Sequence, residues 1–337
     1  MILLGLVPIL CSGLLGLAAG PLRRRLSPSV AAPLLALAAL ATSLATGIVL
    51  CLAGFLELAR NPLVAALGGW SGAGLRPWRL LPATWATLAG VAAAVLLVSA
   101  LGFLAQVTCD LVRASRACGR LDGAAHRLRI SPDEYPAAFT VPLRGTIVVS
   151  AGMLRLLPAD ERRALLAHED AHLRRFHAGY VMAAALAAAA NPLLRPVARQ
   201  VRLAVELWAD QLAAREVGDG RVVARALARA SLGANRPPQA SGVRLAAADT
   251  DVSTRVRALL SCAPRFRPWA AAAAVALALA SGAVALRLTV DLHDQVEIAQ
   301  ADSARVLAHQ SGDLRGYAPR PATAEAGRWT SLRVTAR

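Results

Sequence analysis

Four stretches of this chain run without a charged residue: Met1–Gly20, Val30–Leu56, Ala83–Val107 and the Ala-rich Trp269–Leu286. A hydrocarbon span takes about 20 mostly apolar residues. Within lipid every backbone N–H and C=O has to be satisfied internally, so such stretches can only be helices. The chain is 56% hydrophobic and 17% charged, with a mean hydropathy of +0.49, which suits a membrane protein. The expected fold is therefore mainly α. Residues 1–109 carry three transmembrane helices at about 1–20, 30–56 and 83–107, and residues 110–267 form a domain outside the bilayer. A fourth transmembrane helix covers 268–286, followed by a short tail, 287–337.

Charge sets the orientation. Arg23, Arg24 and Arg25 follow the first apolar run, the reverse of a secretory signal, so that helix is read as retained with its N-terminus outside. Residues 21–29 then face the cytoplasm. The loop 57–82 lies outside; Trp70, Trp78 and Trp85 fit an interfacial aromatic belt, although Arg60, Arg76 and Arg79 balance the arginine count there. The third helix returns and places 108–267 in the cytoplasm, flanked by Arg113, Arg116, Arg120, Arg265 and Arg267. The tail is then extracytoplasmic. Its acids, Asp291, Asp294, Glu297, Asp302 and Asp313, offer a sensor or a disordered segment, and disorder is the reading taken.

Within the domain, residues 168–172 read His-Glu-Asp-Ala-His. Leu157-Pro158-Ala159-Asp160-Glu161 is a helix start, with acids at the positive end of the dipole, and Ala164–Ala167 is an apolar lead-in. The motif therefore begins in mid-helix. Two histidines four apart share a face and can hold one tetrahedral zinc, with the intervening Glu169 placed as general base. A catalytic His₂Glu site needs one more carboxylate, and Glu206 and Asp210 supply a pair one helical turn apart. Glu206 is read as the third ligand and Asp210 as the acceptor that fixes a ligand histidine's tautomer; the reverse assignment stays open at this point. Asp170 points away from the metal face. The apolar run Tyr180–Ala190 lies between the two halves of the site and is too short to span. Were it a span, Glu206 would sit across the membrane from the histidines. It is therefore read as a buried helix or shallow dip beside the site.

Phe139–Val141 and Thr146–Ser150 read as short strands joined by Leu143-Arg144-Gly145, with Ile147-Val148-Val149 strongly β-branched. They are candidates for pairing with an extended substrate or for a plain structural hairpin. Helices are expected at 159–176 and about 197–217, and 110–135 as a charged juxtamembrane segment.

The run Ala138–Gly152, the H-E-x-x-H and the E-x-x-x-D together resemble the BlaR/MecR-type integral-membrane metallopeptidases. They are similar, more distantly, to the HtpX and CAAX prenyl protease group. The resemblance covers roughly 125–217 and the membrane layout. It implies a helical zincin-type (gluzincin) domain with a small β-sheet or hairpin, Zn²⁺ as cofactor, His168, His172 and Glu206 as ligands, and Glu169 as catalytic base. His177 fits a position that is Asp or His in relatives; it is carried as a candidate catalytic residue, an oxyanion donor, against the plainer reading of an interfacial histidine. Asp170 departs from the apolar or small residue usual there.

The implied activity is a membrane-embedded zinc endopeptidase, regulatory in role, whose partners are the lipid bilayer and a protein or peptide substrate such as a winged-helix repressor. An HtpX-like quality-control protease and a non-enzymatic signalling protein with a vestigial site are the alternatives. β-Lactam sensing of the BlaR/MecR kind needs a Ser-x-x-Lys nucleophile, and this chain contains no lysine: all 37 basic residues are Arg. The net charge of +16 comes without a nucleic-acid recognition motif, so no direct nucleic-acid binding is expected, and a basic face against anionic lipid accounts for it. Cys11, Cys51, Cys109, Cys118 and Cys262 show no C-x-x-C spacing and are read as free thiols.

Overall fold

The structure is a computed structural model that describes residues 2–70, 82–119, 127–233, 252–261 and 266–316. Arg76, Trp78, Arg79, Arg120, Cys262, Arg265 and the tail from 317 onward lie outside the described residues. The chain divides into two compact units, Met1–Leu58 with Trp78–His293, and Ala59–Pro77 with Asp294–Arg337.

The first unit is mainly helical. Its long apolar helices are α1 (Ile2–Arg25), α2 (Pro28–Leu58) and α4 (Ala83–Gly119), with α11 (Pro268–Gly316) beginning in this unit. These four are long and apolar enough to cross a membrane. Each extends past its apolar run: α1 takes in Arg23–Arg25, α4 continues twelve residues beyond Val107 into the expected juxtamembrane segment, and α11 continues thirty beyond Leu286. The stretch 287–316 is thus helical rather than disordered. Arg287 pairs with Asp291 at i,i+4 and Arg305 with Asp302 at i,i+3, the spacing at which opposite charges support a helix. Where α2 crosses α4, Gly54 meets Gly90; a Cβ at Gly54 would lie 2.5 Å from the Gly90 Cα. Small residues let backbones approach this closely. The outward face of α4 exposes Leu88, Val91, Val95, Val98 and Leu101.

The domain after α4 opens with a three-stranded sheet in the order β1 (Leu128–Ser131), β3 (Thr146–Ser150), β2 (Ala138–Val141). β2 and β3 form the expected antiparallel hairpin, with Val141 opposite Thr146 and the turn completed by Gly145 at φ 60°. β1 pairs parallel with β3. It carries only Leu and Ile among four residues, too short a pattern to read as a strand. A short α5 (Ala151–Leu156), capped by Ser150, leads to α6 (Ala159–Arg174). Phe176, in the left-handed region at φ 54°, turns the chain from α6 into α7 (His177–Ala190).

The short apolar run is where the two halves of the chain interlock. α7 enters the helix bundle, turns at Asn191–Leu194, and α8 (Arg195–Val217) comes back out. Val181, Ala184, Ala187, Leu194, Val197 and Val201 join Leu15, Ala19, Leu35 and Ala39 in one core. The turn sits between mid-helix positions of α1 and α2. Its polar groups are met there: Asn191 donates to Thr46 Oγ1 at 3.5 Å, Ser12 and Thr46 hydroxyls lie 3.1 Å apart, and Ser43 donates to the Ala187 carbonyl at 3.2 Å. A Cβ at Gly16 would lie 2.4 Å from the Leu193 carbonyl oxygen, so only glycine admits the turn. α9 (Gly220–Gly233) and α10 (Val252–Leu260) pack on the outer half of α8.

In the second unit, which holds the short helix α3 (Pro62–Gly68), the Trp70 indole N–H donates to the Ala59 carbonyl at 3.0 Å, beside Val296 and Ala299, and Gln300 donates to the Gly68 carbonyl at 2.9 Å. Cys11, Cys51, Cys109 and Cys118 are free.

Gly16→Leu is expected to destabilise the protein by about 1–3 kcal/mol through overpacking. Gly13→Leu, where nothing lies within 4 Å of an added Cβ, is expected to change stability by less than about 0.5 kcal/mol. Thermal unfolding in detergent checks the pair.

Candidate metal centre

α6 and the outer half of α8 lie side by side, and the motif residues face each other across the contact. Nε2 of His168 and Nε2 of His172 lie 3.0 Å apart. Glu206 presents Oε2 at 3.6 Å from His168 Nε2 and Oε1 at 3.7 Å from His172 Nε2. One ligand atom from each of the three falls within 4.8 Å of the others. A tetrahedral ion with bonds of about 2.0–2.2 Å needs donor separations of about 3.3–3.6 Å, so these residues could hold a zinc ion with shifts of a few tenths of an ångström.

The other ring nitrogens are also engaged. His168 Nδ1–H donates to Asp210 Oδ1 at 3.0 Å, which leaves Nε2 free to ligate. This geometry favours Glu206 over Asp210 as the ligand. His172 Nδ1 faces His177 Nδ1 at 3.3 Å. His177 is fully buried and packs on Trp208 with ring centroids 4.7 Å apart. It thus stands behind His172, on the ring nitrogen opposite the metal face. An oxyanion donor has to reach the reacting carbonyl, whereas the contact His177 makes here is with the back of the His172 ring. Asp170 is turned off the metal face, as expected, and pairs with Arg127 at 3.1 Å and Arg174 at 2.6 Å.

One functional side chain escaped the sequence reading. Arg255 is the one buried residue of α10. Its Nε and Nη2 grip Asp210 Oδ2 and Oδ1 at 2.8 and 2.7 Å, and Nη1 lies 3.1 Å from Glu206 Oε2. Two buried acids require a base nearby, but with 37 arginines in the chain nothing in the sequence singled this one out.

The charges of the site do not balance among themselves. Burial alone would raise the Glu206 carboxyl, but His172, His168 and Arg255 outweigh it and hold it below the usual carboxylate range. Burial likewise opposes the Asp210 charge and is overcome by Arg255 and His168. Arg255, desolvated but facing both acids, is raised above its ordinary value. Two carboxylates against one guanidinium leave one buried negative charge, and the pocket takes up a cation. Without metal that cation is a proton: burial pulls His168 down, yet its bonds to Asp210 and Glu206 lift it to about 10. Burial holds His172 neutral, lowered to about 4. Glu169 is raised to about 7, chiefly by burial, with Glu206 adding to it.

Residues 105–189 match the family model of Peptidase family M48. The match spans the end of α4, the sheet, α6 with His168, Glu169 and His172, and α7. M48 peptidases are zinc-dependent, so the match supports a metallopeptidase and agrees with the donor set. It ends before Glu206, Asp210 and Arg255, and it does not separate the BlaR/MecR, HtpX and CAAX prenyl protease resemblances. No curated protein and no solved structure matched the chain.

Two predictions follow from the charge balance. His168, at about 10, holds a proton at pH 7 that a metal has to displace. Zinc binding then releases about one proton and tightens about tenfold per pH unit as pH rises toward that value. Calorimetric titration in buffers of different ionisation heat measures the release. Arg255→Gln is expected to destabilise the metal-free protein by about 3–5 kcal/mol. The loss should be smaller with zinc bound, since the ion takes over part of the compensating charge. Unfolding with and without zinc checks it.

Proposed function

We propose that this chain is a membrane-embedded zinc endopeptidase whose catalytic region faces the cytoplasm. One observation carries the reading: the imidazoles of His168 and His172 and the Glu206 carboxylate converge on one point, with buried Glu169 beside them, inside the region that matches a metallopeptidase family. The arginines at the inner ends of α1 and α4 support the cytoplasmic placement.

Zinc, when bound, supplies Lewis acidity to a water and to a carbonyl oxygen. The protein supplies the rest. Asp210 holds His168 in the tautomer that leaves Nε2 free, and His177 does the corresponding work behind His172. Arg255 fixes both acids of the E-x-x-x-D pair. Glu169, raised to about 7 and so available as the carboxylate near neutral pH, takes the proton of the attacking water and delivers it to the leaving amine. Its burial in the wall of the site gives it the basicity that role needs.

We assign the enzyme a regulatory role, the cleavage of a cytoplasmic repressor or a membrane-associated protein, on the resemblance to BlaR/MecR-type proteins. These 337 residues contain no lysine with which to build a Ser-x-x-Lys nucleophile. A vestigial reading is disfavoured because all five motif residues are retained, with His168, His172, Glu206 and Asp210 in mutual contact.

Glu169→Gln is expected to retain stoichiometric zinc and to lose cleavage of an unfolded model protein by at least about 100-fold. Metal analysis and a gel assay on reconstituted protein check it. Undiminished cleavage by that variant would refute the mechanism. N-terminal proteomics of cells carrying wild type or Glu169→Gln would name the substrate.

A further inference from the structure

The depth of the metal centre can be read from the way α8 lies against α1. The two run in the same direction: Gly16 abuts the Leu193 carbonyl, and seven residues on in both helices Arg23 Nε donates to Gln200 Oε1 at 2.7 Å. The level of Arg23 is also where the apolar length of α1 ends. Arg25 lies over the Trp269 ring at 4.8 Å and accepts a backbone bond from Arg267 at the start of α11. Arginines and an interfacial tryptophan from two helices thus mark one boundary of the hydrocarbon. Arg195, exposed on α8 five residues before Gln200, is within reach of that level by extending its side chain toward it.

Glu206 follows Gln200 by six residues, so it lies about 9 Å beyond this boundary at 1.5 Å per residue. The headgroup layer on each side of a bilayer is about 5–7 Å thick. The metal centre therefore sits at its outer edge. Trp208 stacks on Tyr180 at 6.3 Å and packs on His177 at 4.7 Å beside the site. Phe176, 68% exposed, projects at the α6–α7 turn beside the site.

We propose that the substrate of this site is the juxtamembrane segment of a membrane-anchored protein, cut within a few residues of the bilayer; this rests on the peptidase reading above. A peptide leaving the membrane in extended form covers about 9 Å in three residues. A scissile bond some four to eight residues from the end of an apolar span is held at the centre by its own anchor. Lengthening the tether from eight to forty residues dilutes it about tenfold, since effective concentration falls as the −3/2 power of length.

The test uses the full-length, zinc-loaded protein in phosphatidylcholine vesicles. Substrates are one apolar span, a tether of 4, 8, 20 or 40 residues, and the same randomised ten-residue cassette; a span-free version is included. In parallel, nitroxide labels at positions 193, 199 and 216 of a cysteine-free variant report depth without reference to activity. The expected result is fastest cleavage at 4–8 residues, about tenfold slower at 40 and slower still without a span. The label at 193 should lie about 9 Å deeper than that at 199, and the label at 216 should be in water. Equal rates at every tether length, or a label at 193 as water-accessible as that at 216, overturn the proposal while leaving the peptidase reading intact. Failure of the wild type to cut any cassette, with zinc bound, removes the peptidase reading and this inference with it.

Discussion

The site depends on a reversal of direction. α6 offers two imidazoles on one face, but two ligands do not hold a catalytic ion, and the third comes from a helix thirty-odd residues downstream. Between them the chain enters an apolar bundle and returns. The return is possible because the turn at Asn191–Leu194 is met by Thr46 and by a bare glycine backbone at Gly16. Unsatisfied polar groups at that depth would cost several kcal/mol, and a span in place of the hairpin would deliver Glu206 to the wrong face. The candidate metal centre and the apolar helix bundle therefore share one folding unit: the helix that carries Glu206 and Asp210 at its outer half is core to the bundle at its inner half.

Charge is the second constraint. A carboxylate pair this deeply buried is unstable alone, and Arg255 compensates half of it. The remainder is what selects a cation, whether proton or metal. The same arrangement separates two chemically similar acids: Glu206 and Asp210 are held ionised by nearby positive groups, while Glu169, one residue from a ligand histidine but without a bonded base, is pushed toward neutrality. Ligand and proton carrier are distinguished by their neighbours rather than by their type.

Much of this was legible in the sequence because it is periodic or local. Uncharged runs located the four long helices to within a few residues at their starts, since lipid penalises charge directly. The i,i+4 spacing of His168 and His172 placed both on one face, and the β-branched run Ile147–Val149 marked the central strand. Helix ends were less legible: the stretches after Val107 and Leu286 mix polar residues with Arg, Ala and Leu, which are good helix formers in water, so polarity marked the end of the apolar stretch and not of the helix. Long-range partners were not legible. Arg255 reaches the site from a separate helix, and His177 lies behind His172 rather than before it because Phe176 adopts a left-handed turn that no propensity announces.

α4 is unbroken from Ala83 to Gly119, and its last turns belong to the domain: Cys118 packs with Val141 and Val148, Arg129 donates to the Cys118 carbonyl, and Arg144 donates to Ser115. Its close approach to α2 at Gly90 lies about 43 Å from Gly119 at 1.5 Å per residue. Pivoted at that glycine pair, the helix would be a stiff lever: leaning it by ten degrees would swing the strand edge by about 8 Å, so a small tilt at the glycine crossing becomes a large displacement at the sheet.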